Sequence, residues 1–481
     1  MKAQKAIYFL SINLLILSFF LLFPLLLALI FGEKEFKIFL LTLSLVIGSS
    51  VIGLYFTREQ RHTELGHKEA FFVVTFTWIL AAFFGALPYF FAGELSFTDA
   101  YFEAMSGFTT TGASVFTEVE HLPKSVLFWR ALTQWIGGLG IVVFVLAVLP
   151  WVGSGGMQLF KAEVPEVSVD KLKPRIFDTA KLLWSLYTGI TAFLVVLYCL
   201  GGMQIFDAVC HAFTTISTGG FSTKNTSIAY YHSPLLEVFV TLGMIMGGTN
   251  FTLYFGLLRR RLPRFWRSEE FNFYIGSLCV ISLTVFLVLL ATGYANFWNC
   301  LRYAVFQVVS IITTTGYATD DYLKWNYLAQ NIILFSMFLG AMAGSTGGGL
   351  KSVRVLIIFK QIYKELYKLI HPRAYLKLKL DEKPVSEDIL SSIWGFVFLS
   401  VMVLIIATLL LSATGVNFLT AFSMVATALN NVGPAFGKAG PTGNFAFVHP
   451  FGKWVLSMCM LIGRLEYYTV IILFFPAFWK K

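Results

Sequence analysis

Uninterrupted apolar runs of membrane-crossing length recur along this chain, and they leave it very few possible folds. A helix needs ~20 apolar residues to cross the ~30 Å hydrocarbon core of a bilayer. Inside that core each backbone N–H and C=O must find a partner within the protein, so runs of this length become helices. Composition agrees: 57% of the 481 residues are hydrophobic and 13% are charged, against about a quarter charged in soluble domains. The chain therefore reads as an all-α polytopic membrane protein. Its first run, 6–31, is too long for a signal-peptide core and lacks a small-residue cleavage site, so it is expected to stay as a helix. The expected spans are 7–31, 37–56, 70–92, 126–150, 181–203, 234–258, 272–294, 327–358, 389–413 and 452–478.

A net charge of +10 could suggest nucleic acid, but its distribution argues for a membrane and no nucleic-acid partner. Basic residues gather in 57–70, 161–181, 259–267 and 360–383, loops separated by even numbers of expected spans. The opposite loops carry Glu94, Asp99, Glu118, Glu120, Asp320 and Asp321. This positive-inside pattern puts the basic loops and both termini in the cytoplasm. Cys199, Cys210, Cys279, Cys300 and Cys459 have no CxxC or Cys/His spacing and read as packing residues.

Between paired spans lie four shorter segments, 96–110, 206–217, 296–313 and 417–430, each too short to cross. Each has a candidate N-cap: Ser96 or Asp99, Asp207, Asn296 or Asn299, and Asn417. Each leads into one of four related phrases: TTTGAS (109–114), STGGFS (217–222), TTTGYA (313–318) and NNVGPA (430–435). The pattern predicts re-entrant half-helices followed by extended strands. Such backbone survives at membrane depth only when buried in protein or lining a water-filled cavity. The glycines taken as equivalent are Gly112, Gly219, Gly316 and Gly433. The expected architecture is thus four helix–pore loop–helix repeats in pseudo-fourfold arrangement (70–180, 181–270, 271–388 and 389–481) plus two N-terminal transmembrane helices in 1–69.

Four strands converging on one axis offer rings of backbone carbonyls, which can replace the water around a dehydrated cation. Glycine permits close approach and positive φ, and the half-helices aim their partially negative C-terminal ends at the site. No phrase contains a carboxylate, whereas a calcium site would use several. A monovalent ion such as potassium fits better. The candidate filter residues are Thr110, Thr111, Gly112, Thr218, Gly219, Gly220, Thr315, Gly316, Tyr317, Val432 and Gly433, with the hydroxyls of Thr110, Thr111, Thr218, Thr314 and Thr315 as further oxygens. One such phrase would read as an ordinary turn; four behind half-helices do not.

The span 327–358 holds Gly340, Gly344, Ser345, Thr346, Gly347, Gly348 and Gly349, followed by Lys351. Each glycine costs a helix interior about 1 kcal/mol, so a continuous helix is not expected. An unwound loop below the third strand would face the pathway and could act as a gate. GSTGGGLKS imitates a phosphate-binding loop, but Leu350 separates the glycine from Lys351 and no strand precedes it. Arg464 lies near the middle of the last span, where charge is costly and usually functional; snorkelling or pairing with Glu466 is the alternative. Gln134, Asn250, Glu237 and His211 are expected to pack or to bond between helices. No paired His, Ser or carboxylate set suggests catalysis, so an enzyme is not expected.

The four phrases, WIGGLGIVVFVLAVLPWVGSGGMQLFKAE (135–163), AGSTGGGLKSVRV (343–355) and LIGRLEYYT (461–469) resemble the Trk/Ktr/HKT superfamily of potassium transporters, most closely the bacterial Trk-type membrane subunit. The resemblance covers nearly the whole chain. It implies one potassium pathway, a homodimer in lipid of the bacterial inner membrane, and a cytosolic ring of nucleotide-binding regulatory subunits as partner. In plant relatives a serine at the first glycine goes with sodium transport; Gly112 here favours potassium. Asn431, Val432 and Pro434 depart from the hydroxyl-rich phrases and from the TVGYG repeated in tetrameric channels, implying weaker selectivity. A sodium-permeable relative or an ion-coupled secondary transporter is the rival reading.

Overall fold

A computed structural model describes residues 3–60, 65–140, 176–258, 266–374 and 376–480. Two helices, Ala3–Phe31 and Phe36–Phe56, open the chain as an apolar hairpin. Small residues let them approach closely, as membrane helices require: Ser50 Oγ donates to the Ser11 carbonyl at 2.6 Å, and a Cβ on Gly53 would lie 2.0 Å from Ser11 Oγ. Asn13 Nδ2 then donates to Thr77 Oγ1 at 2.6 Å, tying the hairpin to the first repeat.

Each repeat has a leading helix, a half-helix and a trailing helix. The leading helices are His67–Phe91, Ile176–Leu200, Glu269–Ala291 and Glu387–Ser412. The half-helices are Phe97–Phe108, Ile205–Ile216, Phe297–Ile312 and Phe418–Asn430. Ser96, Asn296 and Asn417 cap three of them, each side chain accepting a first-turn N–H. The second departs from expectation. Gln204 is its N-cap and makes no side-chain bond, while Asp207 accepts from Thr223 Oγ1 at 2.7 Å. Among the described residues six helices are long and apolar enough to cross a membrane. The leading helices turn large apolar side chains outward, among them Phe193, Val280, Leu283, Phe398 and Leu409. The half-helices sit inside, with Phe102, Phe108, Phe306 and Met424 fully buried. The chain is a multi-pass membrane protein.

The trailing helices depart most from expectation. A break was expected only in the third, which runs Tyr327–Ser336 and resumes as Ser352–Ile370. The second also breaks, between Pro234–Gly247 and Phe251–Leu258. The fourth ends at Arg464, where Glu466 and Tyr467 take φ of 56° and 55°, and the chain bends by 114° into Tyr468–Phe474. The first, Lys124–Leu139, ends at Gly140 with φ 79°. Residues 141–175 and 259–265, which carry most of the 135–163 motif and two of the basic loops, lie outside the described residues.

The reason for the shared break lies in packing. A Cβ on Gly137, Gly247 or Gly463 would stand 1.8, 3.0 or 2.0 Å from the carbonyl of Phe108, Ile216 or Leu429 respectively. Three trailing helices therefore cross the last turn of a half-helix at backbone contact, on a glycine, and stop just beyond it. Gly137→Ala meets rigid backbone and is expected to destabilise by about 1–3 kcal/mol, as overpacking does. Gly276→Ala, in a leading helix with nothing within 4 Å, is expected to be neutral or stabilising by up to ~1 kcal/mol. Thermal unfolding in detergent compares the two.

Candidate functional site

The four strands share one backbone pattern. One residue just past the end of each half-helix is left-handed: Thr110 (φ 53°), Thr218 (53°), Thr314 (59°) and Asn431 (53°), the first three following the C-cap and Asn431 being the C-cap itself. Two residues on, a glycine is again positive: Gly112 (80°), Gly220 (78°), Gly316 (81°) and Gly433 (104°). This corrects the register assumed from sequence. The equivalent glycine of the second repeat is Gly220, not Gly219. STGGFS offers two neighbouring glycines, and only the backbone shows which takes the positive φ. Between the two left-handed positions sit Thr111, Gly219, Thr315 and Val432. Their N–H groups donate back to Ser106, Thr214, Ser310 and Thr427 at 2.9, 2.9, 2.9 and 3.0 Å.

The strands close on one another in order. A Cβ on Gly112 would lie 2.2 Å from the Gly219 oxygen, one on Gly220 1.9 Å from the Thr315 oxygen, and one on Gly316 2.1 Å from the Val432 oxygen. A Cβ on Gly433 would lie 2.7 Å from the Thr111 oxygen, which completes the circuit. Each glycine thus abuts the carbonyl preceding the next glycine around the ring. An L-side chain at any of the four would have to displace that carbonyl and would be strained in φ.

The threonine hydroxyls are already engaged within the protein. Thr111 Oγ1 bonds Thr109 Oγ1 at 2.8 Å and accepts from Asn431 Nδ2 at 2.9 Å; Thr315 Oγ1 bonds Thr313 Oγ1 at 2.9 Å. Thr218 Oγ1 donates to the Ser217 carbonyl at 2.7 Å, and Thr314 Oγ1 accepts from Gly348 N at 2.8 Å. The carbonyls of Thr111, Gly219, Thr315 and Val432 are therefore the better candidates for ion ligands. Tyr317 is buried behind the ring, its hydroxyl donating to the His211 carbonyl at 3.1 Å and its own carbonyl accepting from Ser310 Oγ at 2.7 Å.

Behind the ring, a polar side chain nine residues before the glycine holds the outgoing strand in three repeats. Glu103 accepts from Val115 N at 2.8 Å and Ser114 Oγ at 3.0 Å; His211 Nε2 bonds Ser222 Oγ at 2.9 Å; Gln307 Nε2 donates to the Asp320 carbonyl at 2.8 Å. Met424 holds that place in the fourth, and Ser423 Oγ accepts from Phe436 N at 3.0 Å instead. Glu103 is fully buried and pairs with buried Arg130 at 2.9 Å. The other span residues singled out from sequence divide. Glu237 pairs with Arg302 at 2.7 Å, Asn250 accepts from Thr252 N at 2.8 Å, and Gln134 reaches the second strand.

Beneath the ring the third trailing helix opens into a loop. Its neck is closed by a Leu339–Leu350 bridge and by Ser352 Oγ donating to the Gly340 carbonyl at 2.8 Å. Thr346 Oγ1 donates to the carbonyls of Ile216 and Gly247 at 2.8 and 3.0 Å. Met342 N reaches the Gly248 carbonyl at 3.1 Å, and Phe251 N reaches the Gly344 carbonyl at 3.0 Å. The loop therefore docks into the unexpected break of the second trailing helix, whose freed backbone groups bond it. Gly347 and Gly348 come against the carbonyls of Thr313 and Asn430, where a Cβ would lie 3.1 and 2.6 Å away. Gly344 and Gly349 both take φ of 70°. Ser345 Oγ donates to the Met342 carbonyl at 2.6 Å, and Lys351 Nζ bonds the Gly347 carbonyl. Buried Glu270 accepts from Ala343 N at 2.7 Å, a contact with no sequence signal beyond a carboxylate at a span end.

Arg464 sits at the meeting point. Nη1 donates to the Thr346 carbonyl at 2.7 Å and to Thr110 Oγ1 at 3.1 Å; Nη2 donates to the carbonyls of Gly137 and Gly138 at 2.6 and 2.9 Å. One guanidinium thus joins the loop, the first strand and the end of the first trailing helix. The Glu466 carboxylate is paired with Arg354.

Known proteins supply a comparison. The family model described as TrkH, cation transport protein, matches residues 36–298 and 299–481. The Trk system potassium uptake protein TrkH of Escherichia coli (strain K12) is 40% identical over 465 residues, covering 95% of each chain. The protein of that name from Halomonas elongata is 36% identical over 485 residues, covering all of both. Among solved structures, the crystal structure of the potassium transporter TrkH from Vibrio parahaemolyticus superposes with a TM-score of 0.91 at 35% identity, covering 100% of each chain.

The docking of the loop is open to direct measurement. Thr346→Val removes the one hydroxyl proton shared between the Ile216 and Gly247 carbonyls, at little change in volume. Amide hydrogen exchange over 341–349 is expected to accelerate by about fivefold or more, the equivalent of one net hydrogen bond, while the half-helices keep their protection.

Proposed function

The chain belongs to the TrkH family of cation transport proteins, and from that membership we propose that it carries potassium ions across the cytoplasmic membrane through a single pore. The observation that carries this reading is the closed circuit of four glycines against four carbonyls. A dehydrated potassium ion would be held by the carbonyls of Thr111, Gly219, Thr315 and Val432. The C-terminal ends of four half-helices add partial negative charge around it. The layer contains no fixed charge, so the ion is bound without being trapped, as conduction requires.

The loop of Gly344, Ser345, Thr346, Gly347, Gly348 and Gly349, with Lys351 at its base and Arg464 beside it, would close the pathway from below. Arg464 acts in two ways. Its hydrogen bond to the Thr346 carbonyl holds the loop in place. Its charge is permanent and opposes entry of a cation. Two unit charges at ~6 Å repel by roughly 3 kcal/mol at an effective dielectric near 20, about a hundredfold in occupancy. Opening requires the loop to leave the second-repeat break and Arg464 to lose its loop partner. The repeats would divide at 70–180, 181–270, 271–388 and 389–481, after an N-terminal pair in 1–69, with both termini cytoplasmic.

The relatives' naming as parts of a Trk system supports partners. We assign these as a cytosolic ring of nucleotide-binding regulatory subunits, a second copy of the chain, and anionic lipid at the basic loops. The reading excludes catalysis.

Liposomes containing the purified chain test this reading. Radioactive rubidium is expected to run downhill without a requirement for sodium or a pH gradient. Gly112→Ser is expected to lower rubidium preference over sodium, because a Cβ would press on the Gly219 carbonyl; unchanged competition by sodium would remove the filter assignment. Arg464→Ala is expected to raise basal flux, and Arg464→Lys to restore closure only in part, since an ammonium lacks the guanidinium fork. Folded Arg464→Ala with flux no higher than the parent chain would end the gating role. Reversing several charges in 360–383 is expected to weaken co-purification with the regulatory ring, and unchanged co-purification at moderate salt would remove electrostatics from docking.

A further inference from the structure

The ring is not four identical parts. The residue before each ring glycine is Thr111, Gly219, Thr315 or Val432, so the second repeat alone has no side chain there. The space is filled from another repeat. Gln134, on the first trailing helix and fully buried, donates from Nε2 to the Gly219 carbonyl at 2.7 Å and accepts at Oε1 from Phe221 N at 3.0 Å. Its amide therefore spans Gly220 and fixes the strand on both sides of the ring glycine. The fit is close: a Cβ on Gly219 would lie 2.4 Å from Gln134 Cδ. One turn earlier on the same face, Arg130 donates from Nη1 to the Ser222 carbonyl at 3.2 Å and stacks over Phe221 at 4.3 Å. One turn later, a Cβ on Gly138 would lie 2.6 Å from Ser217 Cβ. The i, i+4, i+8 stripe of Arg130, Gln134 and Gly138 thus runs along the second strand as a splint.

The trailing helices can be matched through the glycines that cross the half-helices, Gly137, Gly247 and Gly463. Three residues before each stand Gln134, Met244 and Met460. A polar residue occupies this place in the first trailing helix, whose neighbour strand has no side chain at Gly219, and methionine occupies it in the other two.

We propose that Gln134 is a specificity-determining positioning residue: its carboxamide sets the orientation of the Gly219 carbonyl and so completes the ligand ring that the bare second strand would leave undefined. The proposal rests on the filter reading above. An amide hydrogen bond to a carbonyl oxygen uses one lone pair and leaves the other for an ion. Without Gln134, Gly219 sits between two residues of left-handed backbone, and the peptide that carries its carbonyl keeps only the 3.3 Å bond from Gly220 N to the Thr214 carbonyl. A carbonyl held by that one long bond gives a ring that adapts to smaller ions, which weakens discrimination against sodium.

The test is the rubidium-to-sodium competition ratio in liposomes, which depends only on conducting molecules and not on how much protein survives reconstitution. Gln134→Met is expected to lower the ratio by roughly fivefold, the equivalent of one hydrogen bond. Gly219→Ala approaches from the other side by displacing the carboxamide, and is expected to move the ratio in the same direction. The double variant Gln134→Met/Gly219→Thr rebuilds the composition found in the other repeats and is expected to recover at least half of the loss on a logarithmic scale. Gly112→Ser serves as the control for the filter itself. If Gly112→Ser changes the ratio while Gln134→Met and Gly219→Ala both leave it at the parent value, the role of Gln134 is overturned and the filter reading stands. If none of the three changes it, both are overturned. A double variant no better than the worse single one overturns the claim that Gln134 replaces a missing side chain.

Discussion

Backbone meeting backbone around a closed ring is the constraint on which the rest of this structure depends. Four glycines at positive φ each abut a carbonyl of the next strand, at distances where a Cβ could not exist. An extended strand at membrane depth needs its polar groups paired or buried, because unpaired ones would be too costly there. The strands persist because each half-helix takes back one N–H of its own strand, and because buried groups such as Glu103, His211 and Gln307 fix the outgoing segment. Glycine at the trailing-helix crossings serves the same end by letting helices reach the ends of the half-helices.

The same close approach explains what lies below the ring. Trailing helices that cross a half-helix on a glycine stop soon after, so backbone groups are freed at one level of the membrane. The loop of the third repeat and the break of the second satisfy each other, through Met342 N, Phe251 N and Thr346. Arg464 ends the fourth trailing helix at that level, and three oxygens of the first repeat and one of the loop surround its guanidinium. A buried charge with several hydrogen bonds is stable as a unit and expensive to strip of one partner.

Much of this was legible in the sequence. Run lengths gave the membrane helices, the four phrases gave the strands, and five glycines in ten residues gave the third break. Other features were hidden for identifiable reasons. Gly219 and Gly220 are adjacent, and composition cannot say which one takes the left-handed conformation. Asp207 looked like an N-cap because it stands near a helix start, yet it is spent on Thr223. The break after Gly247 was missed because Gly247, Gly248 and Asn250 interrupt an otherwise apolar run too briefly to be read against it. Gln134 was visible as an isolated polar residue in an apolar span, but its partner is a backbone carbonyl 85 residues away, which leaves no trace in the chain.

The central claim is that the four carbonyls of Thr111, Gly219, Thr315 and Val432 bind a monovalent cation on a common axis. Anomalous diffraction from crystals grown in rubidium tests it most directly. The account requires a rubidium peak on the axis, equidistant from the four oxygens and lost when lithium replaces rubidium. Rubidium bound elsewhere in the protein with no density at the ring would contradict it.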